Sequence, residues 1–163
     1  MTNSNNQNDP DQVLDVAANV LTIPFEGEVL HPYQDAGGIW TIGTGSTFDL
    51  AGNPVTANTP PISHAQNIIL LHREMRSALL TVEDDVPVPL TINEEAALVD
   101  FVFNVGAGDF EASTLLANLK ARNYSEAAAQ FLCWNHVKGV VLAGLTLRCA
   151  ARRDLFLKPE VQA

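Results

Sequence analysis

The sequence predicts an α+β fold that is mostly helical, with a small β-hairpin lobe and a larger helical lobe. Strand-forming residues around a glycine turn are confined to residues 28–46, whereas apolar residues recur at helical spacing before and after that segment. The 163 residues, 47% of them hydrophobic, suffice for one domain with a sizeable core. We therefore expect a disordered tail at residues 1–10 and a single domain at residues 11–163.

Within that domain, we expect a small lobe at about residues 23–62. Before this lobe, the domain begins with a helix that starts near Asp11. Pro24 lacks a backbone donor, so this helix should end or kink there and leave Glu26 at or just past its end. Two strands should follow, joined by the turn Ala36-Gly37-Gly38, with Pro32 in an edge position.

A linking helix should cover about residues 63–82 and a helical lobe about residues 90–157. Capping boxes at Ser63 and Thr91 mark two helix starts, and the acidic run 83–85 is interpreted as a solvated connection. The second of these helices is apolar nearly all round, which is typical of a central buried helix. Further helices are predicted at 113–119, 125–134 and 145–157, and everything after Leu90 is expected to be helical.

The formal net charge of -10 disfavours a general nucleic-acid binder, which needs a basic surface, and also docking on anionic lipid. One basic cluster lies near the C-terminus. We interpret it as the cationic end of the last helix, which complements the helix dipole. Its members are Arg148, Arg152, Arg153 and Lys158.

The remaining composition predicts no cofactor and no membrane segment. Cys133 and Cys149 lie in apolar patterns and are expected to be buried free thiols, although a bridge between them stays open. His64 and His72 are eight residues apart, which is wrong for a metal pair on neighbouring helical turns. The first dozen residues lack the features of a secretory signal, and the run Val13–Ile23 is too short to span a bilayer. We therefore expect a chain that is made in the cytoplasm.

Three polar side chains around the predicted hairpin suggest hydrolytic chemistry. Hydrolysis of a sugar linkage needs one carboxyl that gives a proton to the leaving oxygen and a second carboxylate that handles water. Glu26, next to Phe25 at the end of an apolar helix, should keep its proton and act as the acid. Asp35, at a polar turn, should be ionised, and Thr41 across the hairpin could hold the attacking water.

The spacing of Glu26, Asp35 and Thr41 resembles the catalytic set of the phage-type lysozymes, glycoside hydrolase family 24. The flanking residues FEG, Tyr33, Gly38 and TIG match that family as well. A second block, Phe103 to Gly106 with Ser113 and Thr114, also matches, and the resemblance extends from about residue 23 to 157. It implies a lysozyme-like two-lobed fold whose cleft lies between the lobes.

By that resemblance, four residues should line the sugar-binding cleft: Phe103, Asn104, Ser113 and Asn135. Each of the first three also has a structural explanation. Phe103 could belong to the core, Asn104 could satisfy the end of its helix, and Ser113 could cap the next helix.

The resemblance implies a peptidoglycan hydrolase, an endolysin that cleaves the β-1,4 bond between N-acetylmuramic acid and N-acetylglucosamine. It implies inversion at the anomeric carbon, no metal, a monomer, and release from the host cytoplasm with the help of a holin. Three residues depart from the family pattern, namely Ser46, Cys149 and Arg152. These departures leave open a catalytically silent wall-binding or virion protein. A lytic transglycosylase is a separate alternative, and the presence of Asp35 and Thr41 weighs against it.

Overall fold

The computed structural model describes residues 8–160. The elements of this part of the chain are α1 (Pro10–Val16), a π-helical turn (Ala17–Thr22), α2 (Ile23–Glu26), β1 (Val29–Gln34), β2 (Trp40–Gly43), α3 (His64–Asp85), α4 (Ile92–Val105), α5 (Ala107–Glu111), α6 (Thr114–Lys120), α7 (Tyr124–Gln130), a 3₁₀ turn (Phe131–Cys133), β3 (His136–Val137), β4 (Val140–Val141) and α8 (Ala143–Phe156). This order confirms the predicted α+β fold that is mostly helical.

The chain is already held in place at residue 8. The Asn8 side chain donates to the carbonyl of Leu90 at 3.0 Å and to Oε2 of Glu95 at 2.8 Å, and α1 begins at Pro10. These contacts correct the expectation of a disordered tail for residues 8–10. The rest of that expectation concerns residues 1–7, which lie outside the described residues.

The first helix does not end at Pro24, which was one of the two outcomes predicted there. The segments α1, the π-helical turn and α2 follow one another without a break. The amide of Ile23 bonds to the carbonyl of Ala18, five residues back. Because this π pattern already replaces the α-helical bonds before Pro24, the missing donor of Pro24 does not stop the helix. Glu26 is its last residue, as predicted.

Strands β1 and β2 form the predicted hairpin. They pair antiparallel, with Tyr33 opposite Thr41, and the amide of Asp35 bonds to the carbonyl of Ile39 at 2.9 Å to close the turn. The ladder is irregular between Val29 and Tyr33, where Pro32 lies. Pro32 is tolerated there because a two-stranded sheet consists of edges only.

Helix α3 begins with the capping box predicted at Ser63, whose hydroxyl accepts from the amide of Gln66. The helix runs to Asp85, so the acidic run 83–85 is its last turn and not a connection. Val82 and Val86 are buried on the core side of this turn. Their burial accounts for the extra helical turn, because tertiary packing overrides weak local propensity.

Helix α4 is the buried centre of the molecule, as predicted. Residues 95–102 are all buried, and the capping box at Thr91 starts the helix. The Phe101 ring makes edge-to-face contacts with Phe110, Phe131 and Trp134, with centroid distances of 6.3, 5.6 and 5.0 Å. Such aromatic pairs add to the burial of apolar area and fix the helices around α4.

The C-terminal half is not entirely helical, which corrects a further expectation. Helices α6, α7 and α8 lie close to the predicted segments, but β3 and β4 form a small hairpin between α7 and α8. Lys138 and Gly139 at its tip have φ values of 49° and 78°. Two successive residues with positive φ form the kind of tight turn that joins antiparallel strands.

Across residues 8–160, no helix combines the length and the apolar character that a bilayer crossing requires.

Candidate active site

The Glu26 side chain faces a cleft of about 450 Å³. Glu26 ends α2 because Gly27, with φ of 81°, turns the chain away while its amide bonds to the carbonyl of Ile23 at 2.8 Å. The Glu26 side chain is 44% exposed. The other residues that line the cleft are Phe25, Asn104, Leu142, Gly144, Leu145 and Arg148.

Glu26 forms an ion pair with Arg148 of α8. The surroundings of Glu26 are therefore not purely apolar, as was expected, because a guanidinium faces its carboxylate beside the apolar residues of the cleft. Hydrogen bonds and charges from Asp100 and Glu26 raise the pKa of Arg148, although burial alone would lower it. Arg148 is thus a permanent positive charge in the cleft wall.

Asp100 holds Arg148 from the opposite side. Its two carboxylate oxygens accept from the Arg148 guanidinium at 2.7 and 3.2 Å, and Oδ1 also accepts from the Thr22 hydroxyl at 2.8 Å. Burial would raise the pKa of Asp100, but the charge of Arg152 and the hydrogen bonds from Arg148 outweigh that effect and lower it. Asp100 is therefore an ionised carboxylate in the molecule's interior.

Arg152 completes this buried group. It donates to Oδ2 of Asp100 at 2.7 Å and to Oδ1 of Asn104 at 3.1 Å, and its guanidinium lies 5.6 Å from the centroid of the Phe101 ring. Arg148 and Arg152 are thus both buried ion-pair partners. This corrects the interpretation of the basic cluster as the cationic end of the last helix, since only Arg153 lies in the last turn of α8.

Asp35 lies at the turn of the hairpin and is exposed, as predicted. Its Oδ1 accepts from the amides of Gly37 and Ile39, at 2.8 and 2.9 Å. Two amide donors fix the orientation of the carboxyl group.

Thr41 is buried, with 3% of its surface exposed. Its hydroxyl donates to the carbonyl of Ile39 at 3.0 Å. The turn residue Ile39 thus binds both predicted side chains, Asp35 through its amide and Thr41 through its carbonyl. Neither residue is among those that line the Glu26 cleft within the described chain.

The predicted sugar-binding residues lie in different environments. Asn104 lines the cleft beside Glu26, and Phe103 is half-buried against the core. Asn135 donates to the Thr146 hydroxyl at 3.2 Å, close to the start of α8. Ser113 caps α6, because its hydroxyl accepts from the amide of Leu116 and donates to the carbonyl of Phe110.

Asn67 of α3 fixes the hairpin relative to the helices. Its Oδ1 accepts from the amide of Thr44 at 2.9 Å, and its Nδ2 donates to the Thr44 hydroxyl and to Glu28 at 2.9 and 2.7 Å. Glu28 also contacts His64 at 2.9 Å. Ser46, which departs from the family pattern, is buried, and its hydroxyl donates to the carbonyl of Phe48.

The two cysteines are free, and only one of them is buried. Cys133 is exposed because the 3₁₀ turn directs it away from the core, which corrects the expectation for that residue. Cys149 is fully buried, and burial raises the pKa of its thiol. Among the described residues, no group of three or more His, Cys, Asp and Glu side chains could hold a metal ion.

The sequence analysis missed Asp100, Arg148 and Arg152 as members of one group. A signal was present, because Asp100 interrupts an otherwise apolar helix and a buried carboxylate needs a cationic partner. Arg148 and Arg152 are four residues apart and therefore share one face of a helix. Which helix face meets α4 is a tertiary fact that their spacing does not contain.

The family of this chain follows from its similarity to known proteins. The phage lysozyme family model matches residues 24–152. The endolysin of Acyrthosiphon pisum secondary endosymbiont phage 1 is 34% identical over 141 residues, which cover 84% of this chain and 92% of that protein. The endolysin of Salmonella phage P22 is 38% identical over 109 residues, which cover 67% and 74%.

A solved structure of a related lysozyme supports the same family. The crystal structure of a P22 lysozyme mutant superposes with a TM-score of 0.77 at 32% identity, covering 91% of this chain and 95% of that one. The chain therefore belongs to the phage lysozyme family and is a glycoside hydrolase of the lysozyme type.

Proposed function

We propose that this peptidoglycan hydrolase acts as an endolysin that cleaves the β-1,4 bond between N-acetylmuramic acid and N-acetylglucosamine. The observation that carries the proposal is the position of Glu26, whose partly exposed carboxyl ends a helix and faces an open cleft. A carboxyl so placed can reach the oxygen of a glycan strand that lies in the cleft. Family membership supports the choice of substrate.

Glu26 acts as the general acid in this proposal. It must be protonated when it donates to the leaving oxygen, and a protonated carboxyl has no charge to pair with the Arg148 guanidinium. Proton donation therefore includes departure of Glu26 from Arg148. Because Asp100 binds the same guanidinium through two oxygens, Arg148 keeps its place when Glu26 leaves.

Asp35 and Thr41 activate and position the water. The Asp35 carboxylate is oriented by two amides and can accept a proton from water through its remaining lone pairs. The Thr41 hydroxyl donates its proton to Ile39 and can therefore accept a hydrogen bond from water. Direct attack of that water would invert the anomeric configuration, which NMR of the first-formed anomer measures.

The sugar rings are expected to contact Phe103, Asn104, Ser113 and Asn135. Asn104 has the strongest support, because it lines the cleft and Arg152 holds its Oδ1. Ser113 has the weakest, because its hydroxyl already makes two hydrogen bonds.

Wall clearing by purified protein tests the proposed function. Glu26→Gln should reduce the clearing rate by about 10²–10⁴-fold, since general acid catalysis contributes this much. Glu126→Gln is the matched control, because Glu126 is an exposed carboxylate in α7. An inactive wild type, or a fully active Glu26→Gln variant, would refute the proposal.

Two alternatives have distinct outcomes. A lytic transglycosylase would release anhydro-sugars, which mass spectrometry detects as products that lack one water; the presence of Asp35 and Thr41 disfavours it. A silent wall-binding or virion protein would sediment with peptidoglycan without clearing it.

For the host-cell role, we propose that the protein accumulates as a monomer in the host cytoplasm and reaches the wall through a holin. Expression in cells with and without a holin tests this route. Lysis only in the presence of the holin is the expected result.

A further inference from the structure

We propose that Asp100 is a positioning residue that sets both the place and the charge environment of the catalytic acid. The inference rests on the proposed role of Glu26 as general acid. Within the described residues, Asp100 is connected to the cleft residues Glu26 and Asn104 only through its hydrogen bonds to Arg148 and Arg152. Its effect on the reaction would therefore pass through these two guanidinium groups.

The geometry supports a positioning role. Four hydrogen bonds of 2.7–3.2 Å converge on the Asp100 carboxylate, from Thr22, twice from Arg148 and once from Arg152. Arg148 then reaches Glu26, and Arg152 reaches Asn104. One fully buried carboxylate thus fixes two side chains in the walls of the same cleft.

The charges point the same way. Asp100 and Glu26 carry two negative charges, and Arg148 and Arg152 carry two positive charges. Of the elements packed against Asp100, the π-helical turn contributes the neutral Thr22 and α8 contributes both arginines with the neutral thiol of Cys149. On the hairpin side, the carboxylate of Glu28 pairs with His64 and Asn67 instead. Asp100 is therefore the charge that offsets Arg148 and Arg152 behind Glu26.

The substitution Asp100→Asn removes this charge at almost constant volume. One guanidinium charge would then have no carboxylate partner, and this excess positive charge would favour the carboxylate form of Glu26, whereas the acid must be protonated to act. The alkaline limb of the pH–activity profile should therefore move to lower pH by about one unit. Wall-clearing rates measured from pH 4 to pH 9 give this limb. If Asp100 had a purely structural role, the substitution would lower the clearing rate at every pH and would leave the alkaline limb in place.

Two further variants separate charge from position. Arg152→Gln leaves Asp100 ionised and removes a positive charge, so the limb should move to higher pH. The double variant Asp100→Asn/Arg152→Gln restores the charge balance, so its limb should return close to that of the wild type. Its rate should stay about tenfold or more below the wild type, because Arg148 has lost its bidentate carboxylate partner. If the single variant Asp100→Asn does not fold, the alkaline limb and the rate of the double variant still test the proposal.

Asp154→Asn is the matched control, because it removes an exposed negative charge from the same helix as the two arginines. Its limb and its rate should match the wild type. The proposal is overturned if the limb of folded Asp100→Asn stays in place, or if the double variant clears walls as fast as the wild type. If Glu26→Gln is itself active, the proposed function fails first, and the two failures are thereby distinguished.

Discussion

At the scale of single residues, the most consequential contact joins a partly exposed carboxylate to a buried charge network. Glu26 meets Arg148, and Arg148 is held in turn by Asp100. A buried ion pair is costly to desolvate, and its stability depends on every partner being present. The cleft at Glu26 is therefore built around a group whose removal should affect folding as well as activity.

The buried charge of Asp100 should make stability depend on pH. Its pKa is lowered in the folded protein, so its contribution is fully present above the unfolded value of about 3.9 and is lost as pH falls below it. At pH 7, Asp100→Asn should lower the free energy of unfolding by about 3 kcal/mol or more. Urea denaturation should show this gap shrinking between pH 4 and pH 2. A gap that stays constant over that range would contradict the assignment of Asp100 as a stabilising carboxylate.

At the scale of elements, the hairpin is attached to α3 through Asn67 and a close approach of backbone. Gly43 has φ of 67°, and a Cβ atom at this position would overlap Oδ1 of Asn67. Only glycine satisfies both demands without strain. The orientation of the hairpin that carries Asp35 and Thr41 therefore depends on this contact.

Gly43→Ala should destabilise the protein more than Gly52→Ala. Gly52 also has positive φ, at 85°, but no atom lies within 4 Å of a Cβ built there, so alanine adds backbone strain alone. That strain is about 1–2 kcal/mol. Thermal unfolding of both variants measures the difference, and equal losses would show that the approach of Asn67 is unimportant.

Elements defined by local chemistry could be predicted from the sequence, and those set by packing could not. The capping boxes at Ser63 and Thr91 were predicted and are observed, since each needs only residues three positions apart. The π-helical turn before Pro24 and the hairpin at 136–141 were missed. In both segments the backbone departs from a regular α-helix. The packing that causes this departure cannot be predicted from a short stretch of sequence.

The same distinction holds for the candidate site. Glu26, Asp35 and Thr41 could be named from their spacing, and the hairpin that pairs Thr41 with Tyr33 was predicted. The guanidinium that faces Glu26 could not be predicted, because α2 and α8 are more than 100 residues apart in the chain. The environment of a side chain depends on such long-range contacts, whereas its identity does not.

At the scale of the whole molecule, the net charge of -10 sets how the protein meets a cell wall. Two of the nine basic side chains, Arg148 and Arg152, are buried and bound by Asp100. The outer surface therefore has fewer cations than the sequence suggests. Long-range electrostatic attraction cannot guide this protein to an anionic wall.

Clearing of an anionic wall should therefore not depend on low ionic strength. Salt shortens the Debye length from about 30 Å at 0.01 M to about 8 Å at 0.15 M, which weakens the repulsion between like charges. The clearing rate should rise or stay constant over this range when turbidity is followed at fixed pH. A steady fall would indicate a basic docking surface and contradict this view.

The central claim is that Glu26 donates the proton to the leaving oxygen, and the leaving group itself offers the most direct test. Fluoride needs far less protonation to depart than a sugar alkoxide does. Rates of Glu26→Gln and wild type should be compared on wall glycan and on a β-configured muropeptide glycosyl fluoride. The variant should lose about 10²–10⁴-fold on glycan and much less on the fluoride. Equal losses on both substrates, or no loss on glycan, would contradict the claim.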